Sequence, residues 1–303
     1  MRDLEKYKGI IPAFYACYDE EGEVSPERIQ MLATHYLEVG VKGLYVGGSS
    51  GECIYQTVNE RKIVLENVMK AVGGKMTIIA HIAAPSTRDS LELAKHAENL
   101  GVDALAAIPP IYFVLPEDAI ENYWTSMVEA TDLDFIIYNI PQTTGYALSV
   151  TLLNKMLAHE QVIGVKNSSM PVLDINTFKL ESNKELIIFN GPDEQFLGGR
   201  SMGADAGIGG TYGVMPQAYL TLDRYIRHSQ MREALDLQND INKIIFKMVS
   251  CQGNLYDVMK YILSLDGLKI GQARLPLPRM VETDFAIAKE AHEMIQKLLT
   301  KLN

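Results

Sequence analysis

The sequence predicts an α/β fold, a parallel (β/α)8 TIM barrel followed by a three-helix C-terminal extension. Two observations carry this. Eight short apolar segments alternate with eight segments of helical period, joined by short loops, which is the pattern of a parallel barrel. The first apolar segment then runs into an acidic turn, DEEGE (19–23). An open doubly wound sheet, the structural competitor, usually carries a glycine-rich phosphate loop there. The length of 303 residues suits one barrel with an addition, since such barrels take roughly 200–250 residues as a single domain.

Each element has its own signal. Strand one is read at 9–16 (GIIPAFYA). Ser25-Pro26 starts the first helix, with serine as N-cap, proline at the first helical position and a Val24–Ile29 staple; Gly40 stops it. Strand two spans 43–50 and ends in a loop of small residues. Thr57 to Glu60 forms a capping box, and Val64, Val68, Ala71 and Val72 follow at helical spacing. Strand three is 76–82. Ser86-x-x-Asp89 opens a helix that closes at Gly101, and strand four is 104–110. A helix follows Pro116, then strand five (134–140), a helix near 149–158, and strand six, which ends on Lys166. A helix over 172–182 leads to strand seven (186–191), a short helix follows Asp193-Glu194, and strand eight is 206–211, with a helix from Pro216. Beyond residue 229 only helices are predicted, at 232–249, 255–265 and 284–302. The expected division is a catalytic barrel, 1–229, and an extension packed on it, 230–303.

Composition narrows the function. The formal net charge is −10, from 38 acidic and 28 basic residues, which argues against a nucleic-acid or anionic-membrane partner. No apolar run approaches the roughly 20 residues of a spanning helix. The charged N-terminus has no secretory h-region, and three scattered cysteines (Cys17, Cys53, Cys251) suit a reducing compartment, so a cytoplasmic protein is expected. The six histidines show no ligand spacing, and no metal is expected.

In a barrel of this kind the chemistry lies at the C-terminal ends of the strands. Those ends present Ser49-Ser50, Tyr112, Tyr138, Lys166, Gly191 with Asp193-Glu194, and Gly209-Gly210-Thr211. Lys166 stands out, because it closes the apolar stretch 162–165 and desolvating an ammonium is costly. An amine held there is available as a nucleophile, able to form a Schiff base with a carbonyl. A tyrosine beside it can accept and return a proton, and hydroxyls and loop N–H groups can hold a carboxylate. The bland alternatives are a lysine whose head reaches water, a core tyrosine and a flexible serine turn.

Five motifs in order on these strand ends, GGSSGE (47–52), YNIP (138–141), GVKNSS (164–169), NGPDE (190–194) and GADAGIGGTY (203–212), resemble the pyruvate-dependent class I aldolases. That family includes N-acetylneuraminate lyase and dihydrodipicolinate synthase. The resemblance implies Lys166 as the Schiff-base lysine, Tyr138 as the proton-transferring group, and Ser49 and Ser50 as the grip on the pyruvyl carboxylate, with Ser50 passing a proton to Tyr138. It implies Tyr112 as a residue given across a subunit contact, hence a homotetramer. Ser168, Gly191, Gly209 and Gly210 fall around the substrate, which would be a small 2-keto acid yielding pyruvate with no cofactor. Dihydrodipicolinate synthases usually carry an arginine where this chain has Thr143; sialic acid lyases carry an acidic pair that binds sugar hydroxyls, here Asp193 and Glu194. The sugar-cleaving branch is therefore expected, with N-acetylneuraminate the leading substrate. Gly210 departs from it, standing where those lyases have a serine. A sibling synthase, a 2-keto-3-deoxy-sugar-acid aldolase, or a barrel kept for binding are the alternatives.

Overall fold

The computed structural model describes residues 2–302. Its elements, in chain order, are β1 (Ile10–Pro12), α1 (Pro26–Val39), β2 (Gly43–Val46), α2 (Val58–Val72), β3 (Thr77–His81), α3 (Thr87–Leu100), β4 (Ala104–Ala107), α4 (Glu117–Val128), β5 (Asp134–Asn139), α5 (Pro141–Thr144), α6 (Val150–Leu157), β6 (Val162–Asn167), α7 (Leu173–Glu181), β7 (Ile187–Asn190), α8 (Phe196–Ser201), β8 (Ala206–Gly209) and α9 (Pro216–Arg227). The extension follows as α10 (Met231–Val249), α11 (Leu255–Leu265) and α12 (Glu282–Leu302). The strands pair in parallel from β2 through to β8, and β8 pairs with β1. A single bridge between Ala13 and Tyr45 joins β1 to β2 and closes the ring. The chain is a (β/α)8 barrel.

The predicted start and stop signals operate as capping chemistry. Ser25, Thr57 and Ser86 each accept a hydrogen bond from the N–H three residues on, and Thr57 and Glu60 make a reciprocal box. Gly40 and Gly101 close their helices in the left-handed region, at φ 85° and 75°. Two expectations need correcting. Strand one is only three residues long: Phe14 N still donates to Tyr45 O, but beyond it the chain turns over the barrel end, where the Tyr15 hydroxyl donates to Gly210 O and meets Met259 Sδ of α11. The short helix α5 was not predicted; Pro141 starts it immediately after β5.

Apolar side chains form two sets. One fills the barrel lumen, including Ile11, Tyr45, Ile79, Ile136, Ile163, Phe189 and Ile208. The other lies between sheet and helices and continues without a break into α10, α11 and α12. Strand residues alternate between the two layers. Ile163 faces the lumen, so plain alternation would put Val165 inside as well and send Lys166 out among the helices. The chain avoids this with a bulge. Phe135 pairs with Val162 but Ile136 pairs with Gly164, so β6 carries one extra residue there. Beyond it Val165 lies in the outer layer, and Lys166 stands opposite Tyr138. Gly164 is what lets β6 do this against β7, because a Cβ there would sit 2.0 Å from Ile187 O.

No helix among the described residues is long and apolar enough to cross a membrane. We expect Gly164→Ala to lower stability by ~1–3 kcal/mol, the usual cost of overpacking, seen as a lower urea midpoint at unchanged slope. A native midpoint would contradict the close approach described here.

Candidate active site

The lumen opens at the C-terminal ends of the strands into a cavity of ≈ 270 Å³. A larger one, ≈ 410 Å³, lies at the opposite end between Arg2, Glu160 and Lys184. That face of a barrel serves stability, and it holds none of the residues at the C-terminal strand ends. At the upper cavity, β6 delivers Lys166, whose side chain is buried but reaches the space. Its Nζ lies 3.9 Å from the centroid of the Tyr138 ring and 4.2 Å from that of Tyr45. Two ring faces thus stand where a counter-ion would be expected, and Lys166 makes no ion pair among the described residues. Tyr45 in turn packs edge-on to Tyr138, with centroids 5.8 Å apart.

Behind Lys166 the strand ends are locked by amides. Asn139 donates to Asn167 Oδ1 at 2.7 Å, and Asn167 donates to Ser169 Oγ at 2.9 Å. Gly191 N donates to Asn167 O at 2.8 Å, and a Cβ on Gly191 would collide with Ser168 Oγ at 1.9 Å. These bonds let Asn139 and Asn167 be buried, since buried amides are normally paired, and Asn190 Nδ2 donates to Pro192 O at 2.8 Å. His81, also buried, has Nδ1 2.9 Å from Gly47 O, and its pKa is driven well below the usual range, chiefly by burial. A neutral imidazole therefore backs Tyr45 and Tyr138.

The loop after β2 brings Ser49 and Ser50 to the rim, Ser50 buried and Ser49 exposed. Gly210 lies across from them: a Cβ on it would come within 3.1 Å of Ser50 Oγ. Its glycine leaves Ser50 room, besides removing a hydroxyl. The two acidic residues after β7 divide. Asp193 is turned inward, where Oδ2 accepts from Thr211 N at 2.6 Å and Thr211 Oγ1 at 2.7 Å, while Oδ1 is buried and unpartnered against Gly209. Burial pushes the Asp193 pKa up to about 6, against the pull of the Thr211 hydrogen bonds. Glu194 is half-buried on the cavity wall, and its carboxylate has no hydrogen bond or ion pair among the described residues.

The structure thus gathers Ser49, Ser50, Tyr138, Lys166, Ser168, Gly191, Asp193, Glu194 and Gly210 around one cavity. Three expected residues lie outside its wall. Gly209 backs onto Asp193 and Tyr212, because its position on β8 turns it away from the opening. Thr143 faces a second cavity of ≈ 250 Å³ beside Ser49, and α5 presents Gln142 to the first instead. Tyr112 is 92% exposed on the loop after β4 and reaches neither cavity within its own chain. Sequence reasoning missed Tyr45 beneath Lys166, and Leu255, Tyr256 and Met259, which α11 adds to the wall. Tyr45 was findable, since it sits one residue before the end of β2. The α11 residues were not, because no strand end marks them. Among the described residues no three His, Cys, Asp or Glu side chains gather closely enough to hold a metal ion.

A lysine brought through the lumen on the sixth strand of a (β/α)8 barrel, facing a tyrosine on the fifth, is the arrangement of the class I, lysine-dependent aldolases. The chain belongs to the dihydrodipicolinate synthetase family, whose sequence profile matches residues 6–298. It is 59% identical over 297 residues to the N-acetylneuraminate lyase of Mediterraneibacter gnavus, covering 97% of this chain and 94% of that protein. It is 32% identical over 287 residues to the N-acetylneuraminate lyase of Rhizobium meliloti, covering 94% of each. Among solved structures, the wild-type sialic acid aldolase of Ruminococcus gnavus superposes with a TM-score of 0.96 at 58% identity, over 98% of this chain and 99% of that one.

Proposed function

We propose that this protein is a Schiff-base aldolase that cleaves N-acetylneuraminate to pyruvate and N-acetylmannosamine. The observation that carries the reading is the cross-strand pairing of Lys166 with Tyr138 in a cavity whose far wall holds the unpaired carboxylate of Glu194. The activity named for the Mediterraneibacter gnavus relative supports it.

In this scheme the Lys166 amine adds to the C2 ketone of the open-chain 2-keto acid and water leaves, giving a cationic imine. Ser49 and Ser50 hold the C1 carboxylate. Tyr138 takes the proton of the C4 hydroxyl, the C3–C4 bond breaks, and its electron pair passes into the imine to form an enamine. The aldehyde sugar departs. Protonation of the enamine at C3 and hydrolysis then release pyruvate and restore the amine. The imine is itself the electron sink, so the scheme balances without a cofactor. The neutral ring faces around Lys166 favour this chemistry, because an amine locked in a carboxylate ion pair would be a poorer nucleophile. Free, unpaired cysteines agree with a cytoplasmic location.

Substrate choice rests on Glu194 rather than on both acidic residues. Its free carboxylate accepts hydrogen bonds from the sugar hydroxyls, whereas Asp193 is occupied in bracing Thr211. Among the described residues Lys166 is the only lysine or arginine in the cavity wall, so the carboxylate of aspartate semialdehyde would meet Glu194 with no second cation to offset it. We expect kcat/KM for N-acetylneuraminate cleavage to exceed that for condensation of pyruvate with aspartate semialdehyde. Glu194→Ala should lower the former about tenfold or more, the worth of a charge-assisted hydrogen bond of ~1.5–3 kcal/mol. Faster condensation than cleavage in the native protein, or a Glu194→Ala variant of normal kcat/KM, would overturn this assignment.

We also propose a homotetramer in which Tyr112 of the partner subunit completes the site. Tyr112, Phe113 and Val114 form an exposed apolar tip, and Tyr112 is held at φ 83°, which is uncommon for a tyrosine. The second cavity, beside Ser49 and lined by Ile54, Tyr55, Ile108 and Leu277, has the volume and apolar character to take such a ring. Sedimentation should give a four-chain mass, and Tyr112→Ala should weaken assembly and turnover together; a fully active monomer would refute the proposal.

A further inference from the structure

Glu52 is a buried glutamate two residues beyond Ser50, held in the left-handed region at φ 52°. Backbone of that kind in a residue other than glycine persists only where the surroundings hold it. Here the hold comes from the C-terminal extension. Glu52 Oε1 accepts from Lys260 Nζ of α11 at 2.5 Å, and Oε2 accepts from Arg274 N at 2.8 Å. Lys260 also donates to Gln272 O at 3.0 Å. Both charged side chains are 0% exposed. Burial drives the Lys260 pKa down and Glu52 opposes that shift.

Neither member of the pair lines the Lys166 cavity, and Glu52, though it borders the second cavity, keeps its side chain fully buried there, so the chemistry does not call for their charges. Nor is a buried ion pair in itself strong evidence of stability, since well-packed apolar replacements are often neutral or stabilising. What an ion pair adds is a fixed position for one carboxylate. Glu52 N donates to Ser49 O at 2.9 Å, and Gly51 N donates to Gly48 O at 3.0 Å, so a shift of Glu52 carries Ser49 and Ser50 with it. On α11, Tyr256 and Met259 precede Lys260 by four residues and one, and both line the cavity.

We infer that the Glu52–Lys260 pair positions the Ser49–Ser50 loop for the carboxylate common to all 2-keto acids, so that the extension governs affinity for the pyruvyl half of the substrate and not for the aldehyde half. Glu52 and Lys260 are positioning residues, and the inference rests on the Schiff-base reading above.

The test uses Glu52→Gln, Lys260→Met and the two combined. Each single change leaves a lone buried polar or charged group and should lower the melting temperature, whereas the double variant removes both charges and should recover it. The double variant should nevertheless need about tenfold more pyruvate for half-maximal inactivation by borohydride, the effect of roughly one lost hydrogen bond. In the condensation direction its KM for pyruvate should rise while its KM for the aldehyde stays near native. A double variant with native melting temperature and native pyruvate saturation would overturn the inference, leaving the pair a purely structural feature. Glu52→Asp, which keeps the charge but withdraws it by one methylene, gives the same reading if the double variant fails to fold: an equal rise in both KM values would overturn the inference. Native protein that borohydride does not inactivate in the presence of pyruvate would remove the Schiff-base reading and this inference with it. Native saturation with unaffected variants would remove this inference alone.

Discussion

Bringing one amine into an apolar barrel is the constraint on which the rest of the site depends. A lysine in the lumen costs desolvation, and its strand must also present it to the correct side. The bulge at Ile163 and Gly164 meets the second requirement by inserting one residue before Lys166, and the missing Cβ of Gly164 lets β6 lie against the Ile187 carbonyl while it does so. The first is met without a counter-ion. Tyr45 and Tyr138 face the ammonium with their rings, a weaker partner than a carboxylate and one that leaves the nitrogen free to react.

Acidic side chains elsewhere in and around the site are mostly engaged by other groups. Asp193, buried after β7, is held by two hydrogen bonds from Thr211. Glu52 is absorbed by Lys260 and by the backbone of Arg274. Of the two acids in the cavity wall, Asp193 and Glu194, only Glu194 offers an unengaged carboxylate. With Ser49 and Ser50 proposed as the carboxylate grip, the unengaged Glu194 suits a substrate with one carboxylate and a neutral polyhydroxylated tail.

Much of this was legible in the residues. The helix starts at Ser25, Thr57 and Ser86 could be placed because a side-chain cap is local chemistry, independent of the tertiary fold. Lys166 and Tyr138 could be found because a barrel concentrates function at strand ends. Other features depend on contacts between distant segments. VIGVK reads as an ordinary strand, and only pairing with β5 reveals the extra residue that turns Lys166 inward. Residues 14–16 have the composition of a strand, yet Tyr15 is buried against α11, reaching Met259 Sδ at 3.3 Å, and Phe14 against Tyr36 of α1. Asp193 and Glu194 look equivalent in sequence and differ only through what Thr211 does to one of them. The contribution of α11 to the cavity could not be anticipated from a helix that follows the barrel.

We propose Lys166 as the nucleophile because the bulge delivers it, unpaired, between two tyrosines. Treating the protein with pyruvate and borohydride, then mapping the modified peptide by mass, tests it most directly. A single reduced pyruvyl adduct is expected on Lys166, retained in Tyr138→Phe even though turnover falls by ~10²-fold or more, the usual worth of a positioned acid–base group. No adduct, or an adduct on any other lysine, would contradict it.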